Sequence, residues 1–162
     1  AFGTIIENAT GGTSGDTLRG NNGKNYLDGG AGGDRIFGEK GDDILHGFSG
    51  QDTLFGVRGS DKLYGGSGND KLLGGKGDDI LHGGRGIDTF IFIEGDGQDI
   101  IRDFNADDDF LKFRFTDIDT LTDLEDVANQ IGNHLELDFI GIDKLTLLNT
   151  DWSDLIDATI FV

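Results

Sequence analysis

The sequence predicts an all-β chain wound as a right-handed parallel β-roll, closed by a C-terminal capping region of β-strands with one short helix. Three observations predict it: a nine-residue period from Gly11 to Ile91, 29 Gly in 162 residues, and an acid at the sixth place of most units followed by an apolar residue at the eighth. Gly at about 18% stands against roughly 7% in ordinary domains. Self-similarity at a fixed short period marks a stack of supersecondary units that bury their apolar faces on one another.

Residues 1–10 come first and read as a lead-in strand from an upstream domain. The roll follows over 11–99. Cut at the period, its units are GGTSGDTLR, GNNGKNYLD, GGAGGDRIF, GEKGDDILH, GFSGQDTLF, GVRGSDKLY, GGSGNDKLL, GGKGDDILH and GGRGIDTFI. The sixth place holds Asp16, Asn25, Asp34, Asp43, Asp52, Asp61, Asp70, Asp79 and Asp88, and the eighth runs from Leu18 to Phe90. Gly tolerates positive φ, so GGxGxD forms a tight turn whose carbonyls converge, and the three residues around the eighth place form a short strand. Two units, 18 residues, complete one coil. Odd units then stack into one parallel sheet and even units into the other, with the eighth-place residues meeting between them. Coils about 4.8 Å apart bring the Asp side chains of units n and n+2 face to face across a gap that suits calcium, and without an ion these carboxylates are expected only to repel.

The cap and tail occupy 100–162. Gly95, Gly97 and Asp99 repeat the G-x-G-x-D turn once more, and IIRDF and FLKFRF read as a terminal coil and edge strands. Leu121 to Gly132 reads as the short helix, with Thr122 and Glu125 as a capping box, Leu124, Val127, Ala128 and Ile131 as its stripe, and Gly132 as its stop. HLELDFI, GID and KLTLL read as a hairpin.

Composition narrows the chemistry. Lys and Arg number 13 against 31 Asp and Glu, a net charge of −18, which argues against nucleic acid as a partner. Residues 1–91 carry only −4 of it and the remainder −14, so calcium dependence of the repeats has to come from local Asp ladders. The absence of Cys excludes disulfides, thiolate metal sites and thiol catalysis. No stretch has the length of an apolar membrane span or the make-up of a secretory signal peptide, and the absence of Met reads as a fragment of a longer chain.

These repeats resemble the repeats-in-toxin (RTX), hemolysin-type, calcium-binding nonapeptide GGxGxDxUx, which Gly65 to Ile91 matches without departure. The resemblance implies several Ca2+ ions, about eight at most, each held by six oxygens. Carbonyls of places two and four plus the Asp of one unit would meet carbonyls of places one and three plus the Asp of unit n+2. Gly30, Gly32 and Asp34 would thus face Gly47, Ser49 and Asp52, and Gly66, Gly68 and Asp70 would face Gly83, Arg85 and Asp88. Along the rest of the roll the implied ligands are Gly12, Ser14, Asp16, Gly29, Ala31, Gly38, Lys40, Gly41, Asp43, Gly50, Gly56, Arg58, Gly59, Asp61, Gly65, Ser67, Gly74, Gly75, Lys76, Gly77, Asp79 and Asp99. Ser, Ala, Lys and Arg contribute only main-chain oxygen.

Four units depart from Gly at the second place, with Asn21, Glu39, Phe48 and Val57. A β-branched residue resists positive φ, so Val57 predicts either a β-region backbone or a weaker site beside it. Asn25 offers a neutral oxygen, which marks the site it shares with Asp43 as the weakest.

The acidic tail, ending in Asp157 and the apolar ATIFV, looks like the C-terminal signal of type I secretion in this family, and GTIIENATGG resembles the lead into the repeats of serralysin-type zinc metalloproteases. The resemblance implies a secreted, extracellular module whose partners are the secretion machinery and an upstream catalytic or effector domain. The fragment has no catalytic centre of its own: no His lies in HExxH, and His46 and His82 are two coils apart with Tyr64 between them. A ladder of equivalent Asp residues does not supply the unequal pair of a glycosidase, and no Gly-rich run has the Lys-Ser or Lys-Thr of a P-loop. The alternative is a polysaccharide- or surface-binding module of an alginate epimerase, lipase or adhesin, for which Arg35 and Lys71, at the seventh place of odd units, are the basic candidates. Phe37, Phe55, Leu73 and Ile91 form an apolar stripe that calcium does not explain.

Overall fold

The computed structural model describes residues 8–114, 128–139, 143–157 and 160–161. Each repeat forms a strand because its apolar eighth place alternates with polar neighbours, and each turn forms because Gly follows. Through the roll the strands are β1 (Asn8–Thr10), β2 (Thr17–Arg19), β3 (Tyr26–Asp28), β4 (Arg35–Lys40), β5 (Ile44–Ser49), β6 (Thr53–Arg58), β7 (Lys62–Ser67), β8 (Lys71–Lys76), β9 (Ile80–Arg85) and β10 (Thr89–Ile93). Beyond it come β11 (Gln98–Ile101), β12 (Phe110–Arg114), β13 (Ala128–Ile131), β14 (His134–Phe139), β15 (Asp143–Leu147), α1 (Trp152–Asp157) and β16 (Ile160–Phe161).

The strands sort by parity into two sheets. A seven-stranded sheet runs β16-β12-β10-β8-β6-β4-β2 and a nine-stranded sheet runs β1-β3-β5-β7-β9-β11-β15-β14-β13, so odd and even units separate as the 18-residue coil requires. Pairing is parallel from β2 through β12 with like places opposite one another, for example Ile36↔Leu54 and Leu45↔Leu63. Leu27, Ile36, Leu45, Leu54, Leu63, Leu72, Leu81 and Phe90 are fully enclosed between the sheets. Each such side chain contributes about 1.5–3 kcal/mol of burial.

The central strands are six residues long rather than three. The first three places of each next unit continue the ladder, because their N–H and C=O groups pair with the adjacent coil, as in Gly29 N–H to His46 O at 2.8 Å and Ser49 N–H to Gly30 O at 3.1 Å.

The cap differs from expectation in three places. β11 and β12 are interior strands, paired on both sides, and not edges. The predicted helix over 121–132 is overturned at its C-terminal end, where Ala128–Ile131 is a strand antiparallel to β14; residues 121–127 lie outside the described set. Gly132 is the first residue of a two-residue Gly-Asn hairpin turn, with φ of 64° and Ile131 paired to His134, and not a helix stop. The described helix is instead α1, capped where Asp151 Oδ1 accepts the N–H of Ser153 at 2.9 Å and of Asp154 at 3.2 Å. The β14–β15 hairpin forms as expected.

Candidate metal centre

Two rows of sixth-place carboxylates run along the edges of the roll. In one, Asp16, Asp34, Asp52 and Asp70 each donate their N–H to Oδ1 of the Asp one coil on, Asp34, Asp52, Asp70 and Asp88, at 2.7–2.9 Å. In the other, Asn25 donates to Asp43, Asp43 to Asp61 and Asp61 to Asp79 at 2.7 Å, and Asp79 to Asp99 at 3.0 Å. The carboxylates therefore do more than repel, since one oxygen of each is tied into the stack.

The second oxygen has no such partner. Oδ2 of Asp34, Asp43, Asp52, Asp61, Asp70 and Asp79 is buried without a hydrogen bond among the described residues, while each residue is only 1% exposed. A buried anionic oxygen without a partner is costly unless a cation meets it. The first Gly of each unit makes room for it: a Cβ on Gly38, Gly47, Gly56, Gly65 or Gly74 would run into Oδ2 of the Asp five residues later.

Burial pushes the carboxyls of Asp61, Asp70 and Asp79 up to about 7, opposed by the N–H each accepts and reinforced by neighbouring carboxylates. Asp43 and Asp88 rise to about 6 and Asp99 to about 8, again chiefly through burial.

The turns expected to share an ion are adjacent. Gly32 N–H donates to Ser49 O at 2.8 Å, Ser49 N–H to Gly30 O at 3.1 Å, and Gly47 underlies Asp52. Gly68 N–H likewise donates to Arg85 O at 2.8 Å, beside the Asp70 to Asp88 bond. Third-place carbonyls of Arg58, Ser67 and Lys76 accept from Gly41, Gly50 and Gly59 in the same way, and each retains a second lone pair. Among the described residues no three His, Asp or Glu side chains converge, so the oxygens these turns could offer a cation are main-chain carbonyls and the Asp side chains. At Asn25, Nδ2 is buried without a partner among the described residues, a donor where a ligand is required.

Glu39, Phe48 and Val57 adopt the left-handed turn that Gly uses elsewhere, with φ of 80°, 74° and 86°, so Val57 does not retreat to the β region. Inter-coil bonding on both sides imposes the turn, at about 1–2 kcal/mol per residue.

Three further carboxylates belong to this scheme. Asp109 Oδ1 accepts the N–H of Asp88 at 2.9 Å and so extends one row, although no Gly precedes it. Asp103 accepts from Gly83 and Gly84, and Asp143 from Gly95 and Gly97. The D-x-U-x of Asp109, Phe110, Leu111 and Lys112 was the available signal for the first; Asp103 and Asp143 have none in the repeat pattern. His46 and His82 lie on an outer aromatic ladder, with centroids 4.6 and 6.1 Å from Tyr64, and His82 Nδ1 pairs with Asp103. His134 Nδ1 accepts the N–H of Asn149.

The sequence matches the RTX calcium-binding nonapeptide repeat (4 copies) over residues 10–45, 28–63 and 55–90, half of the chain, and the chain belongs to that family. Its repeats bind Ca2+ and are not catalytic. No curated protein sequence matches it. Among solved structures it is similar to the extracellular lipase LipA from Serratia marcescens, with a TM-score of 0.61 at 20% identity, over 94% of this chain and 39% of the lipase. It also aligns with the AlgE6R3 subunit of the Azotobacter vinelandii mannuronan C5-epimerase, with a TM-score of 0.39 at 21% identity, over 91% of this chain and 78% of that one. The chain thus spans about two fifths of the lipase, and that likeness establishes the fold.

Proposed function

We propose that this chain is the calcium-driven folding module of a larger protein exported by a type I secretion system. The observation that carries the reading is the set of six buried Asp oxygens, three in each row, without a partner among the described residues. In calcium-poor cytosol these carboxylates oppose closure of the coils, so the chain stays open and threads the export machinery. Outside, Asp34, Gly30 and Gly32 close on Gly47, Ser49 and Asp52, and the same step repeats coil by coil. Calcium supplies the positive charge that makes this closure favourable, and extracellular modules bind it at about 0.1–1 mM. The lead-in GTIIENATGG and the tail after Asp157 support a serralysin-like zinc metalloprotease as the parent, with 1–10 entering from its upstream domain, 11–99 as roll and 100–162 as cap and export signal.

A second reading, in which the roll also grips a polysaccharide or surface, is favoured by where the basic residues lie. The folding reading is tested by far-ultraviolet circular dichroism of the chelated chain titrated with calcium, with magnesium as control. A cooperative gain of β-structure near millimolar calcium, absent with magnesium, is expected. Structure that is unchanged by chelation would sink it.

A further inference from the structure

The basic residues of this acidic chain are sorted onto one sheet. Eight of the 13 Lys and Arg lie in strands of the seven-stranded sheet, where the strands contain one acidic residue, Glu39, already paired with Arg19. Strands of the nine-stranded sheet carry three basic residues against five acidic ones.

Within the basic sheet the charges are in register. Lys40 lies opposite Arg58 and Arg58 opposite Lys76 on three consecutive strands, while Arg35 and Lys71 flank Thr53 in the seventh-place row. Each step is about 4.8 Å. All five are exposed and, among the described residues, none is in a salt bridge. Like charges directly opposite one another destabilise a sheet. Calcium does not ask for them either, since the third place offers only its carbonyl and the seventh offers nothing.

The apolar stripe between these rows does not present ring faces. Phe37 and Phe55 stack on each other, centroids 4.8 Å and planes 5° apart, and the Arg19 guanidinium covers Phe37 at 4.9 Å. Single-stranded nucleic acid relies on open aromatic faces for its bases. What remains is a straight row of cations at the coil repeat, complementary to an extended polymer whose anionic groups recur along its backbone.

We propose that the outer face of the seven-stranded sheet binds an acidic polysaccharide running along the roll axis, its carboxylates on Lys40, Arg58 and Lys76 and on Arg35 and Lys71. This deepens the second reading above and is independent of the folding switch. The test is fluorescence anisotropy of a labelled oligo-uronate with the calcium-loaded chain, against a neutral oligosaccharide of equal length and an oligothymidylate. The uronate is expected to bind with an affinity that falls steeply with salt, and K40Q/R58Q/K76Q to weaken it by at least about tenfold. R35Q/K71Q, which replaces no implied calcium ligand and keeps both main-chain N–H groups, is expected to weaken it as well and decides the matter if the triple variant does not fold in calcium. Circular dichroism on each variant keeps loss of binding distinct from loss of folding. No uronate binding by the folded chain, equal binding of the neutral sugar, equal or tighter binding of the thymidylate, or full binding by the folded variants would each overturn the assignment.

Discussion

The central coils and the region beyond Ile91 build the same row of carboxylates and satisfy it differently. Among the coils, neighbours in a row are 18 residues apart and Oδ2 from Asp34 through Asp79 has no donor among the described residues. Beyond Ile91 the spacing stretches to 20 and 21 residues, and at Asp96, Asp109 and Asp143 the chain itself supplies the donors. Asp109 Oδ2 accepts Asn105 N–H at 2.9 Å, Asp96 Oδ2 accepts Ile93 N–H at 2.7 Å, and Asp143 takes two Gly N–H groups. At the other end Asp16 Oδ2 accepts Gly12 N–H at 2.7 Å. The middle of the roll needs a cation, and the row from Asp16 to Asp109 is closed at both ends by ordinary hydrogen bonds. The core changes in step, from a single file of Leu and Ile to Phe90, Phe92, Phe104 and Phe113, the last of which packs on Phe139 of the antiparallel hairpin.

The contrast can be broken at several points. The largest effect belongs to the element both regions share: Leu63→Ala is expected to lower stability in calcium by about 2–5 kcal/mol, read from denaturant unfolding. Next, Asp61→Asn is expected to raise the half-saturating calcium concentration about tenfold or more, while stabilising any residual structure in chelator because a buried charge is gone. Asp109→Asn, whose two oxygens both accept backbone N–H groups, is expected to destabilise with and without calcium. The opposite signs at Asp61 in the two conditions, followed by thermal melts, separate the two kinds of carboxylate; the same sign at both residues would erase the distinction.

Protons provide a third test. Burial raises Asp61, Asp70 and Asp79 from an ordinary 3.8 to about 7 and Asp99 to about 8. The folded metal-free chain therefore binds more protons than the unfolded one between about pH 4 and 8, and its stability rises as pH falls through that window. Chelated protein is expected to gain β-structure on acidification from pH 8 to 5. The smallest effect is at Val57, where replacement by Gly relieves a left-handed β-branched residue and is expected to stabilise the calcium form by about 1 kcal/mol.

Much of the roll was legible because it repeats. The parity of the sheets, the file from Leu18 to Phe90 and the Asp rows all follow from one nine-residue rule. What the rule could not reach depends on contacts from other coils. Three-residue strands lengthen to six because the turn residues pair with the next coil, and Glu39, Phe48 and Val57 are held in a conformation their side chains oppose. Asp109 joins its row without a Gly turn, since Asn105 closes the loop instead. The apolar spacing of Ala128 and Ile131 suits a helix, yet the Gly-Asn turn and the edge of β14 recruit them into a strand.

If cations hold the middle coils shut, region-resolved hydrogen exchange with and without chelator reads the effect at the Asp rows themselves. Amides of Asp34, Asp43, Asp52 and Asp61, protected in calcium by the neighbouring carboxylates, are expected to lose that protection when calcium is removed. Undiminished protection of these amides in chelator at pH 8 would contradict it.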